Sequence, residues 1–144
     1  MKSLLFLLIL FIFAYSQPIL AEADRMVYEK NSITYIGNVK ITKGNELLTA
    51  DKVIIYLDEN RKANSAEAEG KVFYTDGKRT AKADKAFYDF KKDIVQLIGN
   101  ARVEEGPNFV EADEIIYYRK EERAIAVSKN KRVRSFYVEE KEKK

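Results

Sequence analysis

The stretch Gly37-Asn38-Val39-Lys40-Ile41-Thr42-Lys43-Gly44-Asn45-Glu46-Leu47-Leu48-Thr49-Ala50-Asp51 decides the fold. Its frame, Gly-x6-Gly-x6-Asp, returns as Gly70, Gly77 and Asp84, and again as Gly99, Gly106 and Asp113. The three copies use all 6 glycines of the chain. Each aspartate follows an alanine, and a further such pair, Ala23-Asp24, stands ahead of the first copy. A frame that recurs in this way marks a chain built from about four short related units.

Between the markers the residues alternate. Val39 and Ile41 fall on one face, Lys40 and Thr42 on the other, and Ala101, Val103, Arg102 and Glu104 repeat the division two units later. Ile33-Thr34-Tyr35-Ile36 runs into Gly37-Asn38 as Val95-Gln96-Leu97-Ile98 runs into Gly99-Asn100. Period-two alternation bounded by Gly, Asn and Asp, with almost no helical periodicity from Met26 to Val138, predicts an all-β chain. The second glycine of each copy, in Lys43-Gly44-Asn45, Asp76-Gly77-Lys78 and Glu105-Gly106-Pro107, supplies the positive φ of a tight hairpin.

After each aspartate the inward parity changes. If Lys85 and Asp89 face solvent, Ala83 and Ala86 both face inward, three positions apart. Strict alternation forbids that, and a bulge or corner at Ala-Asp permits it. An aspartate at such a corner bonds local amides, so Asp51, Asp84 and Asp113 read as structural rather than catalytic.

Strands with one apolar face must press it against another. The expected fold is therefore all-β: a repeat-built, slightly twisted β-jellyroll or open sandwich with exposed first and last strands. The first unit is thin, beginning at Ala23-Asp24, and the last ends in a strand over residues 132–138. Met26 and Tyr28 at one end, with Val133, Phe136 and Val138 at the other, are the candidate docking edges. Two outcomes stay open there: each edge accepts a neighbour's strand, or its short, charged character resists pairing. The inner face mixes alanines with Ile33, Tyr35, Leu48, Tyr88 and Tyr117, which suits a packed core and an apolar slot equally.

The front of the chain reads differently. Lys2, an apolar run over residues 4–15, Ser16-Gln17-Pro18 and Ala21-Glu22-Ala23 form a secretory signal peptide, expected over residues 1–21 with the cut after Ala21. Residues 22–138 then make one β domain, and residues 139–144 a charged tail.

Composition excludes several functions. The chain carries 26 basic and 23 acidic residues, a formal net charge of +3, with the two signs interspersed, which is no nucleic-acid signature. It has no cysteine, histidine or tryptophan. A His/Cys zinc centre, a Ser-His-Asp triad and a Cys-His pair are excluded. The paired carboxylates Glu67 and Glu69, or Glu104 and Glu105, offer the residue types of a glycosidase, but neither pair has a distinctive context. No enzyme activity, metal or cofactor is expected.

The texts Gly37-Asn38-Val39, Ile41-Thr42, Gly44, Ala50-Asp51-Lys52-Val53, Val95, Leu97, Gly99-Asn100-Ala101, Asp113, Ile115, Tyr117 and Lys131-Arg132-Val133 together resemble the OstA-like (LptA-type) family of periplasmic lipopolysaccharide-transport proteins. The resemblance runs from about Ala23 to Val138. It implies a twisted β-jellyroll whose apolar groove holds the acyl chains of lipid A. The groove set it implies is Ile33, Tyr35, Val39, Ile41, Leu48, Val53, Ile55, Phe73, Tyr88, Leu97, Val103, Ile115 and Tyr117. It further implies head-to-tail self-association and edge-to-edge stacking between an LptC-like inner-membrane component and an LptD-like outer-membrane component.

Two departures stand beside it. The family has another strand ahead of the position of Ala23, where this chain shows only the leader. The family also places a groove aromatic at Phe73, whereas the internal repeat pairs Phe73 with Lys40 and Arg102 on the polar face. The alternatives are an LptC-like domain that keeps its leader as an anchor, and a structural β-repeat module with a dry core.

Overall fold

The computed structural model describes residues 18–139. Residues 1–17, which hold most of the signal peptide expected over residues 1–21, and residues 140–144 of the expected charged tail lie outside them. The described residues form one antiparallel sheet of 10 strands and no helix. In chain order these are β1 (Ile19–Glu22), β2 (Arg25–Tyr28), β3 (Ser32–Lys43), β4 (Glu46–Leu57), β5 (Ala63–Thr75), β6 (Arg79–Asp89), β7 (Ile94–Glu105), β8 (Asn108–Tyr118), β9 (Arg123–Val127) and β10 (Arg134–Phe136). The six long strands, β3 to β8, pair in sequence order. At one edge β1 and β2 both pair with β3, on different halves of it; at the other β9 and β10 both pair with β8.

Every long strand is broken in the middle. The register between β3 and β4 jumps from Ile36–Lys52 to Val39–Ala50, so Gly37 and Asn38 stand opposite the single residue Asp51. The same two-for-one bulge sets Gly70 and Lys71 against Asp84, and Gly99 and Asn100 against Asp113. Both residues of each pair have positive φ, 88° and 48° at Gly37 and Asn38, 85° and 49° at Gly99 and Asn100. Glycine is required at the first of them, because the preceding unit's aspartate sits where a side chain would go. The expected corner is therefore present, but the first glycine of each copy makes that corner, and only the second turns a hairpin.

Aligned corners crease the sheet into two arms. The first arm holds β2, β9 and the halves of β3 to β8 around residues 32–36, 52–57, 63–69, 85–89, 94–98 and 114–118. The second holds β1, β10 and the remaining halves. Burial concentrates along the crease. Val39 and Val53, one from each arm, are 1% and 2% exposed. They share a cluster with Ala50, Ala68 and Val72, and a second cluster joins Ala83, Leu97, Ala101, Ala112 and Ile115. Ala86 packs against both. Alanine is frequent here because only a small side chain fits where two arms meet.

Two expectations are corrected at the edges. A strand does precede Ala23: β1 pairs Ile19 through Glu22 with Lys43 through Lys40, and it straddles the expected cut after Ala21. The segment reads as the end of a leader because Pro18 and small residues flank it, and four residues carry too little alternation to announce a strand. At the other end, the strand expected over residues 132–138 is only Arg134–Phe136; Val133 and Val138 lie beyond it.

Candidate functional site

The inner face of the creased sheet is a trough, and the register fixes what lines it, since partners across an antiparallel ladder share a face. On the first arm one line runs Ile33, Ile55, Ala66, Tyr88, Val95, Tyr117, and the next runs Tyr35, Val53, Ala68, Ala86, Leu97, Ile115. On the second arm a line runs Ile41, Leu48, Tyr74, Ala81, Val103, Val110. Twelve of the thirteen groove residues named from sequence fall on these lines or, for Val39, at the crease between them.

Phe73 is the exception. It pairs with Thr49 and Lys82, and Lys82 pairs with Arg102, which places the ring on the outer, polar face. The internal repeat gave the right face, because it aligned Phe73 with Lys40 and Arg102. The trough aromatic of this unit is Tyr74, which the same repeat aligns with Ile41 and Val103. Val72, Val95 and Val110 also line the inner side and were not named from sequence, although strand parity marks each of them.

Away from the crease the trough opens. Ile41, Leu48, Ile55, Tyr74, Tyr88 and Val103 are only half-buried, and Tyr117 is exposed. Half-exposed apolar residues lining a trough are free to meet an apolar ligand at little cost.

The trough mouth is polar. Tyr74 Oη donates to Glu46 Oε1 at 3.1 Å, and burial first, then the Glu46 charge, pushes its hydroxyl up to about 12. Tyr88 Oη donates to Asp93 Oδ1 at 2.6 Å; burial and that bond also push it to about 12. Burial raises Tyr35 as well. The Tyr88 and Phe90 rings pack with centroids 4.6 Å apart.

The corners carry carboxylates in a repeated structural part. Asp24 Oδ2 accepts from Asn38 Nδ2 at 3.0 Å, and Asp84 Oδ2 from Asn100 Nδ2 at 2.9 Å. At the last corner Asp113 receives the Lys129 N–H at 2.9 Å and gives its own N–H to Ser128 Oγ at 3.0 Å. The Lys129 bond holds the Asp113 carboxyl below the usual aspartate range. Ser128-Lys129 thus takes the place of Gly-Asn in the last unit.

The two glutamate pairs are occupied by cations on the outer face and the turns. Lys85 Nζ lies 3.5 Å from Glu67 and 3.8 Å from Glu69; Arg102 binds Glu104, and Lys78 stands 3.9 Å from Glu105. Among the described residues no group of three potential ligands converges on a metal site, and no helix is long and apolar enough to cross a membrane.

Both ends of the sheet present strands paired on one side only. Met26 and Tyr28 on β2 are exposed, the latter under the Arg61 guanidinium at 5.0 Å. On β10, Phe136 stacks on Phe109 with centroids 5.7 Å apart, and Arg134 binds Glu111. Val138 N–H donates to Asn108 Oδ1 at 2.7 Å, and Val133 is exposed.

Comparison with known proteins agrees with this architecture. Residues 16–123 match the family described as LptA/(LptD N-terminal domain) LPS transport protein. The chain is 31% identical over 132 residues to the lipopolysaccharide export system protein LptA of Escherichia coli K12, covering 85% of this chain and 71% of that protein. The LptA of Shigella flexneri matches to the same extent. The crystal structure of LptH from Pseudomonas aeruginosa, an LptA homologue and periplasmic component of its lipopolysaccharide transport device, superposes with a TM-score of 0.72 at 23% identity, covering 85% of this chain and 96% of LptH.

Proposed function

The chain belongs to the LptA/(LptD N-terminal domain) family of LPS transport proteins, and from that premise we propose that it is a periplasmic carrier that holds the acyl chains of lipid A between its two arms. Copies stack edge to edge, with each other and with LptC-like and LptD-like components, so that the trough continues from one membrane toward the other.

One observation carries this reading: the apolar lines of the trough run without interruption from β3 to β8, and Met26 and Tyr28 on β2 extend them to an edge with a free side. The sheet ends in antiparallel strands at both edges, so a further copy adds with its arms in the same positions. Burying a methylene contributes about 0.8 kcal/mol. An acyl chain therefore binds firmly and moves on only when another apolar site is adjacent. That favours a continuous trough over single carriers, with the energy for extraction supplied by a partner. The family is one of transport proteins, not enzymes, and no catalytic step is needed here.

Photo-reactive residues at Ile41, Leu48 and Val103, followed by detection of lipopolysaccharide adducts in cells, test the proposal. Adducts at these positions are expected. Their absence at all three leaves the dry structural repeat as the better account.

A further inference from the structure

A guanidinium stands over the mouth of the trough, and holding acyl chains does not require it. Arg119 follows β8 at the tip of the first arm. Its Nη1 lies 3.3 Å from Tyr88 Oη and 3.5 Å from Asp93 Oδ1, and its backbone N–H donates to the Asp93 carbonyl at 3.1 Å. Tyr88 belongs to the inner line of the first arm, so this contact sets the guanidinium on the inner side of that arm's tip rather than on its outer flank.

Next to it on the same turn, Lys120 Nζ donates to the Lys91 carbonyl at 3.3 Å, tying this turn to the one before it. Asp93 is already engaged by Tyr88 and Arg119, and Glu121 stands 3.9 Å from Arg123. Across the gap the nearest charged group on Tyr74 is the Glu46 carboxylate. A guanidinium offers five N–H donors in a planar fork. Contacts to Tyr88 and Asp93 use only part of it, and the side chain is 52% exposed.

An amphiphile whose chains fill the trough must present its polar head at this mouth. One lip then offers a guanidinium with Lys120 beside it, and the other a carboxylate. We propose that Arg119, with Lys120 beside it on the same turn, binds the phosphate of the lipid headgroup and so fixes which way the lipid lies across the trough. The proposal rests on the acyl-chain reading above. Guanidinium and phosphate match in a bidentate, charge-assisted pair, which an ammonium reproduces only as a point charge.

The test is calorimetric titration of the leader-free protein with three probes: diphosphorylated lipid A in detergent, the same lipid with its phosphates removed, and inorganic phosphate. Wild type is expected to prefer the phosphorylated lipid by about tenfold, the scale of one charged hydrogen bond. Arg119→Gln, with its strand spectrum unchanged, brings the ratio near one while leaving affinity for the dephosphorylated lipid intact; Arg119→Lys keeps part of the preference. Equal binding of the two lipids by wild type, or full preference in Arg119→Gln, overturns the proposal. Inorganic phosphate binding as tightly as the phosphorylated lipid overturns the headgroup as the source. Failure of both lipids to bind overturns the acyl-chain reading itself, and this proposal with it.

Discussion

The carboxylate of Asp84 lies directly over Gly99: a Cβ built on that glycine meets Asp84 Oδ2 at 2.5 Å. The same relation holds between Asp24 and Gly37, also at 2.5 Å, and between Asp51 and Gly70 at 2.2 Å. Each unit's aspartate thus reads the next unit's glycine, which explains why the two recur together. Gly99→Ala adds left-handed strain to a steric clash and is expected to cost about 2 kcal/mol or more. Gly106→Ala, at φ 59° with nothing within 4 Å, meets the strain alone and costs about 1 kcal/mol. Denaturant unfolding of both variants, and of Gly99→Ala combined with Asp84→Ala, measures the clash as a coupling energy. Strict additivity in the double variant contradicts the contact.

Alkaline stability follows from the trough tyrosines. The folded hydroxyls of Tyr74 and Tyr88 sit at about 12, above the ordinary value of 10.0. Their contribution is present in full below the unfolded value and is lost as pH rises through the folded one, so stability falls between those limits. Tyrosinate absorbance should show a late phase that Tyr74→Phe and Tyr88→Phe remove. A single phase near the ordinary value speaks against burial of these hydroxyls.

Acid acts on the last corner. Asp113 is held low by the Lys129 N–H, so its contribution is present above the unfolded value and lost as pH falls through the folded one, below the usual aspartate range. Asp113→Asn is expected to flatten the acid limb of the stability curve. An unchanged limb shows that the Lys129 bond does not hold the corner.

We propose that a leader is cut ahead of β1. A cut after Ala21 would remove Ile19, Leu20 and Ala21 from their pairing with Lys43, Thr42 and Ile41. Ala14-Tyr15-Ser16 offers the small-x-small pattern of a cleavage site upstream. Mass spectrometry of the exported protein should find Gln17 at the N-terminus. A mature chain beginning at Glu22 would mean that β1 is dispensable.

The proposed stacking uses the last edge. Ser135→Pro places a residue without an N–H in the middle of β10, opposite Val110. Concentration-dependent association, followed by sedimentation, is expected to weaken in this variant while the long strands remain. Undiminished association would move the contact away from β10.

Most of the architecture can be read from residues because alternation and repeat enforce each other. Phe73 shows the limit: the resemblance put it in the groove and the repeat on the polar face, and the register with Thr49 and Lys82 decides for the polar face. Three features were not legible, each for a physical reason. β1 is too short to show a period. Ser128-Lys129 replaces Gly-Asn because the Ser128 hydroxyl and the Lys129 N–H satisfy Asp113, so the repeat's text vanishes while its bonds persist. Arg119 reaches the trough mouth through Tyr88 and Asp93, 31 residues away in sequence for the tyrosine contact, and no local pattern encodes that approach.

The central claim is that the inner face of the crease, and only that face, meets lipid. Adjacent positions on β5 test it most directly, since Tyr74 pairs with Leu48 and Ala81 inside while Phe73 pairs with Thr49 and Lys82 outside. Photo-reactive residues placed separately at the two positions in cells are predicted to yield a lipopolysaccharide adduct at Tyr74 and none at Phe73. An adduct at Phe73 with none at Tyr74 would contradict the account.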